Sequence, residues 1–197
     1  MIQLLDGAYA WSAFNPEKKF NFNGHILRTG AGTVIVDPVP FSADDLAYLE
    51  AAGLKPDALV ITNRNHLRSS AEVIRRWTIP TFIHTLEVES AGIKPERTVQ
   101  DGDAIHGLVV VHLPGKSPGE IALYWPERRA LLVGDALIAP AGKLKTVPVE
   151  KQEDPVALKR SLELLRTYDF DHLLVGDGDP VLGDAKSAVV AYLNGNK

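Results

Sequence analysis

The chain has 197 residues, and 45% of them are hydrophobic, which is ordinary for a globular protein with a substantial core. We therefore predict a single domain over residues 1–197. The absence of cysteine excludes disulfide bonds and thiolate metal ligands. A net charge of −4 without a long basic cluster argues against nucleic acid as the main partner.

The amino-terminal residues and the apolar runs favour the cytoplasm. Residues 1–6, MIQLLD, contain no basic segment followed by a long apolar run, so they do not resemble a secretory signal. No uninterrupted apolar stretch approaches the roughly 20 residues that cross a bilayer. We expect a cytoplasmic protein with a small-molecule ligand and no membrane partner. The sequence does not determine the oligomeric state.

Short apolar runs rich in β-branched residues predict buried strands. In chain order they are residues 33–36, 58–61, 107–111 and 130–133. The runs form an early and a late group, with the division between about residues 89 and 99. No long linker separates the two groups.

Capping residues predict helices between the strands. Helix starts are predicted at Ser42, Ser69, Asp154 and Asp184. Asp45 follows Ser42, and Glu72 follows Ser69, at the spacing of a capping box, in which side chain and backbone bond reciprocally. Pro155 suits the first turn of the third helix because its backbone angle is already helical. We expect the first helix to end at Ala52, before Gly53.

Four segments together resemble the metallo-β-lactamase superfamily. Residues 62–68, TNRNHLR, follow a strand and resemble the family's T-H-x-H-x-D-H. Residues 113–119, LPGKSPG, resemble L-P-G-H-T-P-G, and residues 175–181, VGDGDPV, resemble P-G-H-G-x-P-V. Residues 32–38 resemble the family's early G-x-x-x-x-D-P segment. The resemblance implies an α+β fold, a four-layer αββα sandwich of two face-to-face sheets flanked by helices.

The same resemblance implies that most metal ligands are replaced. The positions of the first ion's histidines hold Asn63, Asn65 and Lys116. The positions of the second ion's ligands hold Leu67, Arg68 and Asp177, and Asp135 matches the carboxylate that bridges the two ions. Neutral amides are poor zinc donors, and protonated lysine or arginine cannot donate at all. We therefore expect no zinc and no metal cofactor, with a single manganese- or magnesium-type ion as the alternative.

A polar cleft is predicted where these residues meet. We expect the cations Lys116 and Arg68 to replace the metal charge beside Asp135 and Asp177. The predicted ligand-binding cleft consists of Asn63, Asn65, His66, Arg68, Lys116, Asp135 and Asp177.

Several of these residues also have a structural interpretation. Asn63 and Asn65 can satisfy backbone groups of a turn. Asp135 can cap the following segment, and Asp177 lies among glycines typical of a turn. His66 is either a general base or an exposed turn residue.

Three functions therefore stay open. The leading interpretation is a metal-free protein that binds a small ligand or is not catalytic. The alternative is a hydrolase of an ester, thioester or phosphoester that uses one manganese- or magnesium-type ion or no metal. The third is an interaction protein whose former catalytic face is filled in.

Overall fold

A seven-stranded sheet is built from the first half of the chain. The computed structural model describes residues 1–195. The strands lie in chain order: β1 (Ile2–Leu5), β2 (Ala8–Asn15), β3 (Phe20–Thr29), β4 (Gly32–Val36), β5 (Ala58–Ile61), β6 (Thr81–His84) and β7 (Arg97–Val99). Strands β1 to β4 pair antiparallel, and β4 to β7 pair parallel.

A five-stranded sheet follows. Its strands are β8 (Ala104–Ile105), β9 (Leu108–His112), β10 (Ile121–Trp125), β11 (Ala130–Val133) and β12 (His172–Val175). Their order is β12-β11-β10-β9-β8, and only the β11–β12 pair is parallel among these neighbours. The strands predicted from the sequence are confirmed, each within one residue of the observed bounds.

Five α-helices accompany the sheets in residues 1–195, and none is long and apolar enough to cross a bilayer. They are α1 (Ala43–Ala51), α2 (Ser70–Trp77), α3 (Val88–Ala91), α4 (Pro155–Leu164) and α5 (Ala185–Gly195). The Ser42–Asp45 capping box and the Asp154 cap are confirmed.

The capping box predicted at Ser69 is wrong. Ser69 has φ −91° and ψ 18°, and its side chain makes no capping hydrogen bond. The chain enters α2 directly from a helical turn, so backbone carbonyls already accept the first amides: Ser70 N–H donates to Leu67 O at 2.7 Å. The Glu72 N–H, which the Ser69 side chain would accept in a capping box, donates instead to the Ser69 backbone carbonyl at 3.0 Å.

Apolar side chains divide the molecule into four layers. Val34 and Val60 of the first sheet pack with Val110 and Leu132 of the second in the central cluster. The outer face of the first sheet packs against α1 and α2, through residues that include Leu49 and Val73. The outer face of the second sheet packs against α4 and α5, through residues that include Leu158 and Val189. The predicted αββα sandwich is confirmed.

The parallel strands direct polar residues to one edge. Asp37 follows β4, Thr62 follows β5, Asp135 follows β11 and Asp177 follows β12. Carboxyl ends of parallel strands meet at a common edge, where α/β folds place their ligands. This edge carries the candidate site.

The turn that carries Lys116 is packed tightly against α4. Gly115 has φ +138°, and a Cβ there would lie 2.2 Å from the Leu158 backbone nitrogen. We expect Gly115→Ala to lower the free energy of unfolding by about 1–3 kcal/mol because backbone must move. Gly30→Ala, with nothing within 4 Å, is the control. Urea unfolding measures both, and equal stability of the two variants would contradict this packing.

Candidate functional site

His66 is turned into the protein by a single 3₁₀ turn, Arg64–His66. Asn63 caps this turn, since its side-chain oxygen accepts the Asn65 N–H at 2.9 Å. The predicted turn role of Asn63 is confirmed. His66 is only 2% exposed, so the interpretation of an exposed turn histidine is wrong.

Asp37 and Thr62 fix the imidazole ring of His66. Nδ1 of His66 lies 2.7 Å from Asp37 Oδ2 and 3.0 Å from Thr62 Oγ1. Thr62 also donates its hydroxyl to Asp37 Oδ2 at 2.6 Å and its backbone N–H to Oδ1 at 2.8 Å. Asp37 has φ +48°, a left-handed conformation that aspartate tolerates better than most residues. Sequence reasoning noticed Asp37 only as part of a fold motif and missed this contact.

Asp135 and Asp177 complete a cluster around the other ring nitrogen. Nε2 of His66 lies 3.2 Å from Asp135 Oδ1. Possible ligand atoms of His66, Asp135 and Asp177 all lie within 4.8 Å of one another, and all three residues are buried. One imidazole nitrogen and two carboxylate oxygens are ordinary ligands of a divalent metal ion. Asp135 is not an N-cap, because the next helical turn begins only at Pro140.

Two cations pair with these carboxylates, as the sequence predicts. Lys116 Nζ lies 2.7 Å from Asp135 Oδ2 and 2.5 Å from Asn65 Oδ1. Arg68 donates to Asp177 Oδ1 at 2.8 Å and lies over the Phe22 ring, 4.7 Å from its centroid. Each cation contacts one oxygen of the carboxylate with which it pairs.

Leu67 has no part in this cluster. It is half-buried and packs with the apolar residues on the outer face of the first sheet. The position that corresponds to a family ligand is therefore turned away from the site.

The buried charges shift one another's pKa values. Burial and Arg68 disfavour the imidazolium of His66, but Asp135 and Asp37 outweigh them and raise its pKa to about 10. Burial opposes ionisation of Asp135, yet His66 and Lys116 bring its pKa well below the usual range. Burial and the neighbouring Asp135 raise the pKa of Asp177 despite His66 and Arg68. In the metal-free protein His66 is therefore a cation at neutral pH.

A buried glutamate, Glu120, accepts a backbone hydrogen bond from Asp135. Its Oε1 accepts the Asp135 N–H at 2.6 Å and the Ala136 N–H at 3.3 Å. Burial, and then Asp135, raise the pKa of Glu120 to about 8. A Cβ at Gly134 would lie 2.4 Å from Glu120 Oε1, so the close approach requires glycine. An acidic residue opening an apolar strand was the signal in the sequence that could have identified Glu120.

A second buried glutamate, Glu87, joins two loops of the site. Its Oε2 accepts the Arg64 N–H at 2.9 Å, and its Oε1 accepts the Gly119 N–H at 2.7 Å. Arg64 belongs to the turn that carries His66, and Gly119 belongs to the loop that carries Lys116. Glu87 is completely buried. No local motif marks it, because its partners are distant in the sequence.

A cleft of about 770 Å³ opens above the cluster. Its walls include Asn65, His66, Arg68, Lys116, Asp135 and Asp177 from the predicted site. Asn63 lies beneath them and is completely buried. The structure therefore brings all the predicted site residues together. The outer walls add the aromatic residues Phe20 and Phe22 and the lysines Lys18, Lys145 and Lys151.

A family model described as the metallo-beta-lactamase superfamily matches residues 5–193. The chain belongs to the metallo-β-lactamase superfamily.

Two proteins of known name are similar to this chain. The chain is 23% identical over 178 residues to the probable metallo-hydrolase YflN of Bacillus subtilis (strain 168), covering 66% of this chain and 67% of YflN. It is 34% identical over 105 residues to a linear primary-alkylsulfatase of a Pseudomonas species (strain ATCC 19151), covering 51% of this chain. The match spans only 20% of that alkylsulfatase.

Solved structures share the superfamily fold. TTHA1623, solved in a di-iron-bound form, is 26% identical with a TM-score of 0.73, covering 91% of this chain and 96% of that one. A metallo-beta-lactamase from Pontibacter korlensis is 16% identical with a TM-score of 0.79, covering 98% and 96% of the two chains. The latter likeness concerns the fold alone.

The prediction of no metal cofactor is wrong. A similar structure carries two iron ions, and this chain assembles His66, Asp135 and Asp177 in metal-ligand geometry. The error arose because His66 matches no ligand position of the family motif, although its turn directs the ring into the site. The interpretation as a metal-free binding protein depended on that prediction.

Glu87 offers a test of how the site is held together. We expect Glu87→Gln to lower the free energy of unfolding by about 1–3 kcal/mol, since an amide can accept at only one of the two backbone donors. Chemical denaturation measures the loss. Glu89→Gln, at an exposed residue two positions later, is the control and should be neutral. A neutral Glu87→Gln would show that the two loops do not depend on this carboxylate.

The raised pKa of His66 predicts how stability depends on pH. In chelator-treated protein the folded state keeps a proton between pH 6.5 and about 10 that the unfolded chain has lost. The stability that His66 contributes is therefore fully present below pH 6.5 and is lost as pH rises. Glu120, whose pKa is also raised, adds a loss in the same direction up to about pH 8. Between pH 6.5 and 9 we expect a loss of more than about 1 kcal/mol in urea unfolding. His66→Gln should reduce this slope and leave the part that comes from Glu120, and an unchanged slope would contradict the assignment.

Proposed function

We propose that the chain is a metal-dependent hydrolase that works with one divalent ion held by His66, Asp135 and Asp177. The observation that carries the proposal is the fixed position of His66, whose Nε2 faces Asp135 while Nδ1 faces Asp37. A ligating histidine in metalloproteins commonly donates its second ring N–H to a carboxylate, which sets the ring orientation.

The donor chemistry fits one ion but not two. His66, Asp135 and Asp177 offer a nitrogen and oxygens, a set that suits manganese, iron or zinc. The neighbouring group of Asn63, Asn65 and Lys116 offers two neutral amides and a cation, which do not fit a second ion. Arg68 and Lys116 each contact one oxygen of their carboxylates, so each carboxylate has a second oxygen for the ion.

The protein's own residues prepare the reaction. A bound ion supplies Lewis acidity and lowers the pKa of water for attack on an ester. As a ligand through Nε2, His66 would carry its remaining ring proton on Nδ1 and would donate it to Asp37. Glu120 and Glu87 hold the backbone on either side, so that the ligands and Lys116 keep their positions.

The base of the cleft favours a small substrate with a negative group, because Lys116 and Arg68 lie there. On the outer walls the positive charges of Lys18, Lys145 and Lys151 are matched by the negative charges of Glu17, Glu150 and Glu153. Phe20 and Phe22 supply an apolar side. An ester, thioester or phosphoester with a negative group and a short apolar part matches this lining. The relative named as a probable metallo-hydrolase supports the reaction class.

Reconstitution tests this function. Chelator-treated protein receives manganese, iron(II) or zinc and is assayed with p-nitrophenyl acetate, an acyl thioester and bis(p-nitrophenyl) phosphate. We expect hydrolysis of at least one substrate only with metal, and a loss of about 100-fold or more in His66→Gln.

The control for this experiment is His172→Gln. His172 begins β12, at the opposite end of that strand from Asp177, and should leave activity unchanged. Metal-independent hydrolysis, full activity of His66→Gln, or no hydrolysis of any substrate with any ion would each count against the proposal.

A further inference from the structure

We infer that the ammonium group of Lys116 is a built-in second cation of the centre, which shares Asp135 with the metal ion and limits the centre to one ion. The inference rests on the proposed function only in requiring an ion at His66, Asp135 and Asp177. It assigns Lys116 a positioning role and explains how a member of this superfamily can operate with the residues present here.

Lys116 lies in a cage of three oxygens. Its Nζ is 2.7 Å from Asp135 Oδ2, 2.5 Å from Asn65 Oδ1 and 3.5 Å from Asn63 Oδ1. An ammonium group has three hydrogens to donate and no acceptor, so the cage matches its bonding capacity. The side chain is only 9% exposed. It is therefore an internal group of the centre and not a mobile surface lysine.

The cage is prepared by the backbone. The Asn65 N–H donates to Asn63 Oδ1 at 2.9 Å, which fixes the amide of Asn63 with its oxygen towards Lys116. The loop of Lys116 is tied to the segment before α4, because the Asp154 N–H donates to Gly115 O at 2.8 Å. Glu87 links this loop to the turn of Asn65. The oxygens face Nζ because the turns hold them there.

Sharing of Asp135 has two consequences for a bound ion. The ammonium occupies the space beside Oδ2, so a second metal ion cannot bind there while Lys116 remains. It also repels the ion that Asp135 helps to hold, because like charges a few ångströms apart interact unfavourably in a poorly solvated site. Lys116 should therefore weaken ion binding, the opposite of what a residue that helps to hold the ion would do.

The same ammonium borders the substrate cleft. It places a fixed positive charge beside the ion without requiring a second metal. With an ion at His66, Asp135 and Asp177, Asp135 would contact both the ion and the ammonium group. The centre is then a mixed metal–ammonium pair.

The test combines wild-type stoichiometry with one variant. Chelator-treated wild-type protein is titrated with manganese and followed by calorimetry and by electron paramagnetic resonance. We expect one ion per chain and no spin coupling between ions. Two ions per chain in the wild type would overturn the inference, and this measurement needs no variant to fold.

Lys116→Met removes the charge while keeping a side chain of similar length. Provided that circular dichroism shows a folded variant, we expect its manganese affinity to rise about tenfold or more, with a larger increase in Tm on adding manganese. Lys145→Met, at another lysine of the cleft wall, is the matched control and should change affinity less than about twofold. An unchanged or lower affinity in Lys116→Met would overturn the inference.

The outcomes separate the inference from the proposed function. One ion per chain, tighter in Lys116→Met, with no hydrolysis of any substrate supports the mixed pair and contradicts the hydrolase. Metal-dependent hydrolysis with one ion but weaker binding in Lys116→Met contradicts the mixed pair alone. Two ions per chain contradict the mixed pair and the one-ion centre, and metal-dependent hydrolysis would still show a metal-dependent hydrolase. No binding of manganese, iron(II) or zinc contradicts both.

Discussion

The site depends on the balance of buried charge around His66. Asp37, Asp135 and Asp177 are buried carboxylates, and such groups are costly unless cations or hydrogen bonds compensate them. Lys116 and Arg68 each neutralise one carboxylate directly. His66 lies between Asp37 and Asp135 and contacts both carboxylates, one with each ring nitrogen. Removing any one of these groups leaves a partner charged and poorly solvated.

Two further carboxyl groups hold the backbone around this network. Glu87 joins the turn of His66 to the loop of Lys116, and Glu120 accepts the backbone N–H of Asp135. The polar network therefore connects the carboxyl ends of strands from both sheets. Packing of the two sheets sets the distances between the strand ends, and these buried hydrogen bonds fix the orientations of the loops that follow them. Neither contribution alone would place the ligand atoms of His66, Asp135 and Asp177 together.

Local patterns in the sequence predicted the elements better than the site. The β-branched runs identified their strands, and Ser42 identified its helix because a capping box is a local interaction. The capping box predicted at Ser69 was wrong because the Ser69 backbone carbonyl, not its side chain, accepts the Glu72 N–H. The family motifs located Lys116 and Arg68 beside their carboxylates. They could not reveal His66 as a candidate ligand, since the direction of its ring follows from a single 3₁₀ turn and from Asp37, distant in the sequence.

The charge balance also indicates what the centre favours once an ion binds. Without metal, the cations His66, Lys116 and Arg68 match the carboxylates Asp37, Asp135 and Asp177 in number. Replacing the Nε2 proton of His66 by a divalent ion leaves one positive charge in excess, because a proton carries half the charge of the ion. Burial and Asp135 raise the pKa of Glu120 to about 8 in the metal-free protein, so this carboxyl adds less than a full negative charge there. An excess positive charge in a partly closed cleft attracts an anion, either hydroxide or a negative group of the substrate. In the proposed hydrolase, the positive charge of Lys116, which opposes a second metal ion, would therefore favour both the nucleophile and an anionic ester.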